Sequence, residues 1–160
     1  MWVLGLIALV CLLYFLVRTD ARVGDEQIAK WVMTNPAIDK WFWSKVAGVS
    51  HDNLNGMSRQ QILRRCEPRE LLTLAPEPRN PVDPHAIAVL RKNGEQIGYL
   101  NSRLGRETYN RMQKGEHWGA MLTVITGRER HPHGWLGANI VMLRFTQMNV
   151  PNVAGAARTE

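Results

Sequence analysis

Cysteine is nearly absent from this chain: its 160 residues hold two, Cys11 and Cys66. Cys11 lies in an apolar run and Cys66 at the end of an expected helix, so no pair offers an extracellular disulfide framework. Cys66 reads as a small buried apolar residue. Arg64 and Arg65 beside it would favour a thiolate, but no base and orienting group accompany them. The catalytic signatures are missing as well. There is no G-x-x-x-x-G-K-[ST], which excludes a P-loop ATPase, and neither G-x-S-x-G nor H-E-x-x-H occurs. His131-Pro132-His133 is the one close histidine pair. It has no cysteine or carboxylate at ligand spacing and reads as an exposed loop, so no metal is expected. Paired acids for hydrolysis are not evident, short of distant acids converging in the fold. No internal repeat is present. These absences leave binding as the expected activity, without an enzyme's site or a small-molecule cofactor.

Charge is unevenly placed. The formal charge is +6, and between Ser44 and Phe145 there are 15 Lys and Arg against nine Asp and Glu, so the whole excess lies there. A basic domain points to an anionic partner, nucleic acid or a phospholipid surface, although a charge of this size also serves solubility. Residues 1–17 carry no charged side chain. At 1.5 Å per residue they span about 25 Å as a helix, the lower end for crossing a bilayer. No Lys or Arg precedes the run and no A-x-A follows it closely, so a retained anchor over residues 1–18 fits better than a cleaved signal or a soluble core helix. Arg18, Arg22 and Lys30 flank it on the C-terminal side. The expectation is a single-pass protein of the cell membrane, touching lipid through residues 1–18, with its C-terminal domain in the cytoplasm.

Residues 19–43 read as a juxtamembrane linker. Ile28, Trp31 and Val32 recur at helical spacing and predict a short amphipathic helix that Pro36 ends. Trp41-Phe42-Trp43 either sits at a lipid interface or packs onto the following domain as its first strand begins; packing is favoured. That domain is expected over residues 44–146. Val46–Val49 predicts its first strand. Ser58-Arg59-Gln60-Gln61 has capping-box form and opens a helix to about Cys66 that buries Ile62, Leu63 and Cys66. Leu71–Ala75 predicts a second strand. A second helix is expected to start after Ser102 and to end at Gly115. It places Leu104, Thr108, Tyr109 and Met112 on one side, and Arg103, Arg106, Arg111 and Lys114 on the other. That basic face either tracks phosphates or is simply solvated. Alternation in 119–127 predicts a strand with Met121, Thr123 and Ile125 on one face and Leu122 and Val124 on the other. Leu136–Phe145 closes the sheet, and residues 147–160 read as a disordered tail.

The densest motif runs from Arg79 to Leu100. Asn80-Pro81 and Asp83-Pro84 are consecutive turn dipeptides, and each proline stiffens the backbone around the polar residue before it. A strand follows at once, Ala86–Leu90, with Ile87 and Val89 sharing a face. Asn93-Gly94 predicts a type I′ hairpin turn, with Gln96–Leu100 as the return strand. This order, N-P-x-D-P-x-A-I-x-V, then N-G, then I-G-Y-L, resembles the core of the HIRAN domain family. The resemblance extends from about Val46 to about Phe145 and includes V-A-G-V at Val46–Val49 and L-T-L-A-P-E-P at Leu72–Pro78.

The resemblance implies a small, mainly β, HIRAN-type barrel of OB or SH3-like form with short helices, here joined to one transmembrane helix. It also implies binding of the 3′ end of single-stranded DNA without catalysis. In members that bind DNA ends, the Asp of N-P-x-D accepts a hydrogen bond from the terminal 3′-hydroxyl, and Asp83 holds that position. Asn80 is the motif Asn, which shapes the loop as much as it touches ligand. The aromatic before the Asp, which stacks on the terminal base, is Val82 here, and stacking is worth roughly 1–3 kcal/mol per base. His51 stands where a second stacking aromatic follows the first strand. Tyr99 is the polar aromatic of G-[HY]-L. The family's nearby Lys is Ser102, with Arg103 adjacent as a substitute. Arg106 on the basic helix face and Trp135, a platform for a second base, complete the candidates. Asp83 also suits a plain Asx turn, and Tyr99 an ordinary core position. The rival function is a protein-interaction module that recruits a partner to the membrane, the end-binding chemistry having faded with the lost aromatic.

Overall fold

The computed structural model describes residues 25–127 and 134–146. The expected anchor at residues 1–18, the histidine pair of 131–133 and the tail of 147–160 lie outside the described residues. Among those described, no helix is long and apolar enough to cross a membrane. The chain divides into two units, residues 1–35 and 36–160. In the first, helix α1 covers residues 25–34. Ile28 and Val32, one turn apart, are buried, while Trp31 is 43% exposed. The Thr34 hydroxyl donates back to the Lys30 carbonyl at 2.9 Å, and the helix ends before Pro36.

The second unit is a six-stranded antiparallel sheet with two helices. Its strands are β1 (Ile38–Lys45), β2 (Leu71–Pro76), β3 (Ile87–Leu90), β4 (Gln96–Tyr99), β5 (His117–Thr126) and β6 (Gly137–Phe145), in the order β1-β6-β5-β2-β3-β4. Helix α2 (Arg59–Arg64) precedes β2, and α3 (Ser102–Gln113) joins β4 to β5. The first strand begins at Ile38, ahead of the expected Val46 and within the stretch read as linker. Trp41, Phe42 and Trp43 are strand residues paired with Leu143, Met142 and Val141. Phe42 turns to the core and meets the Trp118 ring edge-on at 5.9 Å. Period-two geometry sends Trp41 and Trp43 to the opposite face, where their rings touch each other.

Val46 and Ala47, expected inside the first strand, instead close the sheet. The Val46 N–H donates to Ala138 O at 2.9 Å, and Ala47 and Tyr99 exchange backbone hydrogen bonds of 2.7 and 2.9 Å. The chain leaving one edge strand thus reaches the other edge, and the sheet curls round as a barrel. Gly98 makes the seam possible, since a Cβ there would collide with the Ala47 carbonyl oxygen and a Val46 methyl. The core inside the curl is built from Leu72, Leu74, Ile87, Val89, Ile97, Trp118, Ala120, Leu122, Ile140 and Met142, capped by Ile62, Leu63 and Cys66.

Three local expectations change. In β5, a register shift between Leu122 and Val124 places Leu122 and Ile125 together in the core, whereas uninterrupted alternation set them on opposite faces. In the β3–β4 hairpin, only Gly94 has positive φ, 84°, and Asn93 does not, so the turn is not type I′. Gly94 N–H donates to Arg91 O and Arg91 N–H to Glu95 O, both at 2.9 Å, a three-residue loop ending in a left-handed glycine. Ser58 occupies the N-cap of α2, but its side chain makes no capping bond. The residues after it serve the site instead.

Candidate nucleic-acid interface

The loop from Glu77 to Ala86 is organised by Asn80. Its Oδ1 accepts from the N–H groups of Val82 (3.0 Å) and Asp83 (3.2 Å), an Asx turn that fixes the path between the two prolines. Its Nδ2 donates to Glu77 Oε2 at 2.8 Å and lies 3.4 Å from the Tyr99 hydroxyl. The Tyr99 hydroxyl donates to the same Glu77 oxygen at 3.0 Å. The loop is thereby fastened to the end of β4, and Asn80 spends its side chain on shaping it. Asp83 accepts the His85 N–H through Oδ1 at 2.8 Å, so the turn role anticipated for it is real. Its second oxygen has no partner among the described residues. Val82 projects at the tip, 92% exposed.

A second cluster meets Tyr99 from the other side. Gly48 has φ of +68°, and a Cβ there would lie 3.2 Å from Arg59 Nη1, 3.8 Å from His51 Cδ2 and 3.9 Å from Tyr99 Cδ2. His51 and Tyr99, 48 positions apart in sequence, are therefore brought together around Gly48. The Arg59 guanidinium sits over the Tyr99 ring, 4.9 Å from its centroid. It donates to Asn53 Oδ1 at 2.6 Å and to Gly48 O at 2.8 Å, and Asn53 is tied in turn to Gln96 O at 2.9 Å. Gln60, next in sequence, bridges Val49 O (2.8 Å) and Leu136 O (3.0 Å) and accepts the Leu136 N–H at 2.8 Å. This staple holds the backbone beside Trp135, whose side chain is 71% exposed. Among the described residues, no hydrogen bond or ring contact joins Trp135 to Tyr99 or Asp83.

Arg103 and Arg106 lie elsewhere, in a shallow depression on α3 with Ser102, Glu107 and Asn110. The Asn101 side chain caps this helix by accepting the Leu104 N–H at 3.0 Å. The helix meets the loop through Tyr109, whose ring packs edge-on to His85 at 5.2 Å. Its apolar side holds the four residues expected there. On the charged side Arg111 is engaged by Glu107 (3.0 Å) and Glu116 (3.7 Å), so it is not a free cation.

Geometry thus unites Asn80, Asp83 and Tyr99, adds His51 through Gly48, leaves Val82 projecting, and keeps Arg103, Arg106 and Trp135 apart. Sequence reading missed Arg59, Gln60, Asn53 and Glu77. The first two stood in plain view as the interior of a supposed capping box. Their partners lie up to 76 residues away, and no local periodicity reports such contacts.

Comparison with known proteins agrees with this architecture. The family model of the HIRAN domain matches residues 45–132. The crystal structure of the HIRAN domain of human HLTF superposes with a TM-score of 0.51 at 18% identity, covering 70% of this chain and 81% of that one. A crystal structure of a Lactobacillus plantarum protein gives a TM-score of 0.50 at 14% identity, over 67% of this chain and all of that one. No curated protein matches the sequence.

Proposed function

This chain belongs to the HIRAN domain family, and from that premise we propose that it is a DNA-binding module that takes single-stranded 3′ ends without catalysing a reaction on them. One observation carries the reading. The Asn80–Glu77–Tyr99 hydrogen bonds fasten the N-P-x-D loop to β4, so that a half-used Asp83 carboxylate and an aromatic ring are held on one rigid frame. A carboxylate oxygen is a good acceptor for a terminal hydroxyl, and aromatic faces bind bases of any sequence. The +6 charge of the domain adds attraction for the strand. The reading keeps residues 1–18, of which the first 17 are uncharged, as a bilayer anchor with the domain on the cytoplasmic side, which sets the module beside a membrane.

Fluorescence-anisotropy titration of the full chain, with dT strands ending in 3′-hydroxyl or 3′-phosphate, tests the proposal. The hydroxyl end should bind tighter, because a terminal phosphate sets two anions together. Asp83→Ala should erase the preference, at a cost of roughly 1.5–3 kcal/mol on the hydroxyl strand. Equal affinity of the wild type for both ends sinks end recognition.

A further inference from the structure

Arg59 is the one arginine buried among the described residues, 6% exposed, and it has no counter-ion there. Its hydrogen-bond acceptors are the Asn53 amide and the Gly48 carbonyl, both neutral, and Tyr99 offers only its ring. Three less buried arginines on the barrel are treated differently. Arg91, Arg111 and Arg144 each meet two carboxylates within ion-pair distance. A buried cation without an anion is unfavourable, and neutral acceptors and a ring face offset this only in part. Arg59 Nη2 has no hydrogen-bond partner among the described residues. Since no buried side-chain nitrogen or oxygen there lacks a partner, Nη2 reaches the surface.

The surroundings of the guanidinium are set at Gly48. Only a hydrogen occupies the place where a Cβ would touch Arg59 Nη1, His51 and Tyr99, and His51 is solvent-exposed. A guanidinium with spare hydrogens thus lies beside two rings. That combination suits a phosphate attached to a flat base, the phosphate on the guanidinium and the base against a ring. We propose that Arg59 is the anion-recognition residue of this site and pairs with a backbone phosphate of the bound strand. The phosphate's identity as part of a DNA strand rests on the reading above, whereas the pairing of Arg59 with a phosphate group does not.

The test is a double-mutant cycle on the full chain. One dT strand has normal linkages; the other carries an uncharged methylphosphonate at its last linkage, both ending in 3′-hydroxyl. For the wild type, the neutral linkage should weaken binding by roughly ten- to hundred-fold, as loss of a charge-assisted pair does. Arg59→Gln should weaken the normal strand similarly and make the two strands equal. Asp83→Ala should lose the 3′-hydroxyl preference and stay sensitive to the linkage. A folded Arg59→Gln protein as sensitive to the linkage as the wild type overturns the inference and leaves end recognition standing. A second measurement needs no variant to fold: inorganic phosphate titrated against the Arg59 Nε–H resonance of the wild type. A saturable shift upholds the inference even if the protein ignores single strands, in which case the strand reading falls alone. No shift with either phosphate or strand overturns it.

Discussion

Val82 stands at the tip of a loop held by Asn80 and Asp83, and at 92% exposure its side chain packs against little of the fold. A substitution there acts on ligand alone. Val82→Tyr should leave the melting temperature almost unmoved, since exposed substitutions typically change stability by less than about 0.5 kcal/mol. It should tighten single-strand binding by roughly ten-fold, the lower part of what one stacked base is worth. The anisotropy titration reads this directly; unchanged affinity would mean that no base lies over this loop. At this scale the sequence was legible where chemistry is local. Asn80 and Asp83 announced a turn through the prolines that follow them. Arg59 and Glu77 were not legible, because their meaning comes from Tyr99, 40 and 22 positions away.

Elements were legible to the extent that one period governed them. Helix α3 was placed within two residues at its C-terminal end, with its faces correctly assigned, because 12 residues repeat the helical spacing. The first strand was misplaced because V-A-G-V has strand-like composition, while Ile38–Lys45 alternates apolar residues with Asp39, Lys40 and Ser44 less cleanly. The β5 bulge left no local trace at all. The charged side of α3 carries a prediction that the ion pairs sharpen. Arg103 and Arg106 are exposed and make no ion pair among the described residues, while Arg111 is held by Glu107 and Glu116. If this face follows the strand, replacing Arg103 and Arg106 with Ala should flatten the plot of log affinity against log salt by about 0.7 for each phosphate that is no longer neutralised. Arg111→Ala should leave the slope nearly as it was and lower the melting temperature instead. An unchanged slope in the double variant would show that the face is solvated and the strand lies elsewhere.

Across the whole barrel, two ion networks join elements that are distant in sequence. In one, Arg91 grips Glu70 with two hydrogen bonds, 2.9 and 3.0 Å, and Glu95 at 2.7 Å; Arg65 binds the other oxygen of Glu95. This ties the end of α2, the start of β2 and the β3–β4 hairpin. In the other, Arg144 links Asp39 of β1 to Glu116, which also meets Arg111 of α3. The carboxylates respond alike. Burial alone would push Glu70 up, but hydrogen bonds from Arg91 and the Glu67 N–H outweigh it and hold the group below its ordinary range. Glu95 is lowered first by the Asn93 side chain and then by Arg91, and Asp39 by its bond to Arg144. A carboxyl whose folded pKa is depressed binds fewer protons than its unfolded counterpart. Its stabilisation is therefore complete above the unfolded value, about 4, and is lost as pH falls through the folded one. Thermal unfolding should accordingly be nearly flat from about pH 7 to about 5 and decline steeply below about 4. Arg91→Met removes the shared partner of Glu70 and Glu95, so it should be clearly less stable than wild type near neutral pH, and the gap should close as both carboxyls protonate. A gap that stays constant down to about pH 3 would mean that Arg91 supports the hairpin by packing its stem, not by its charge.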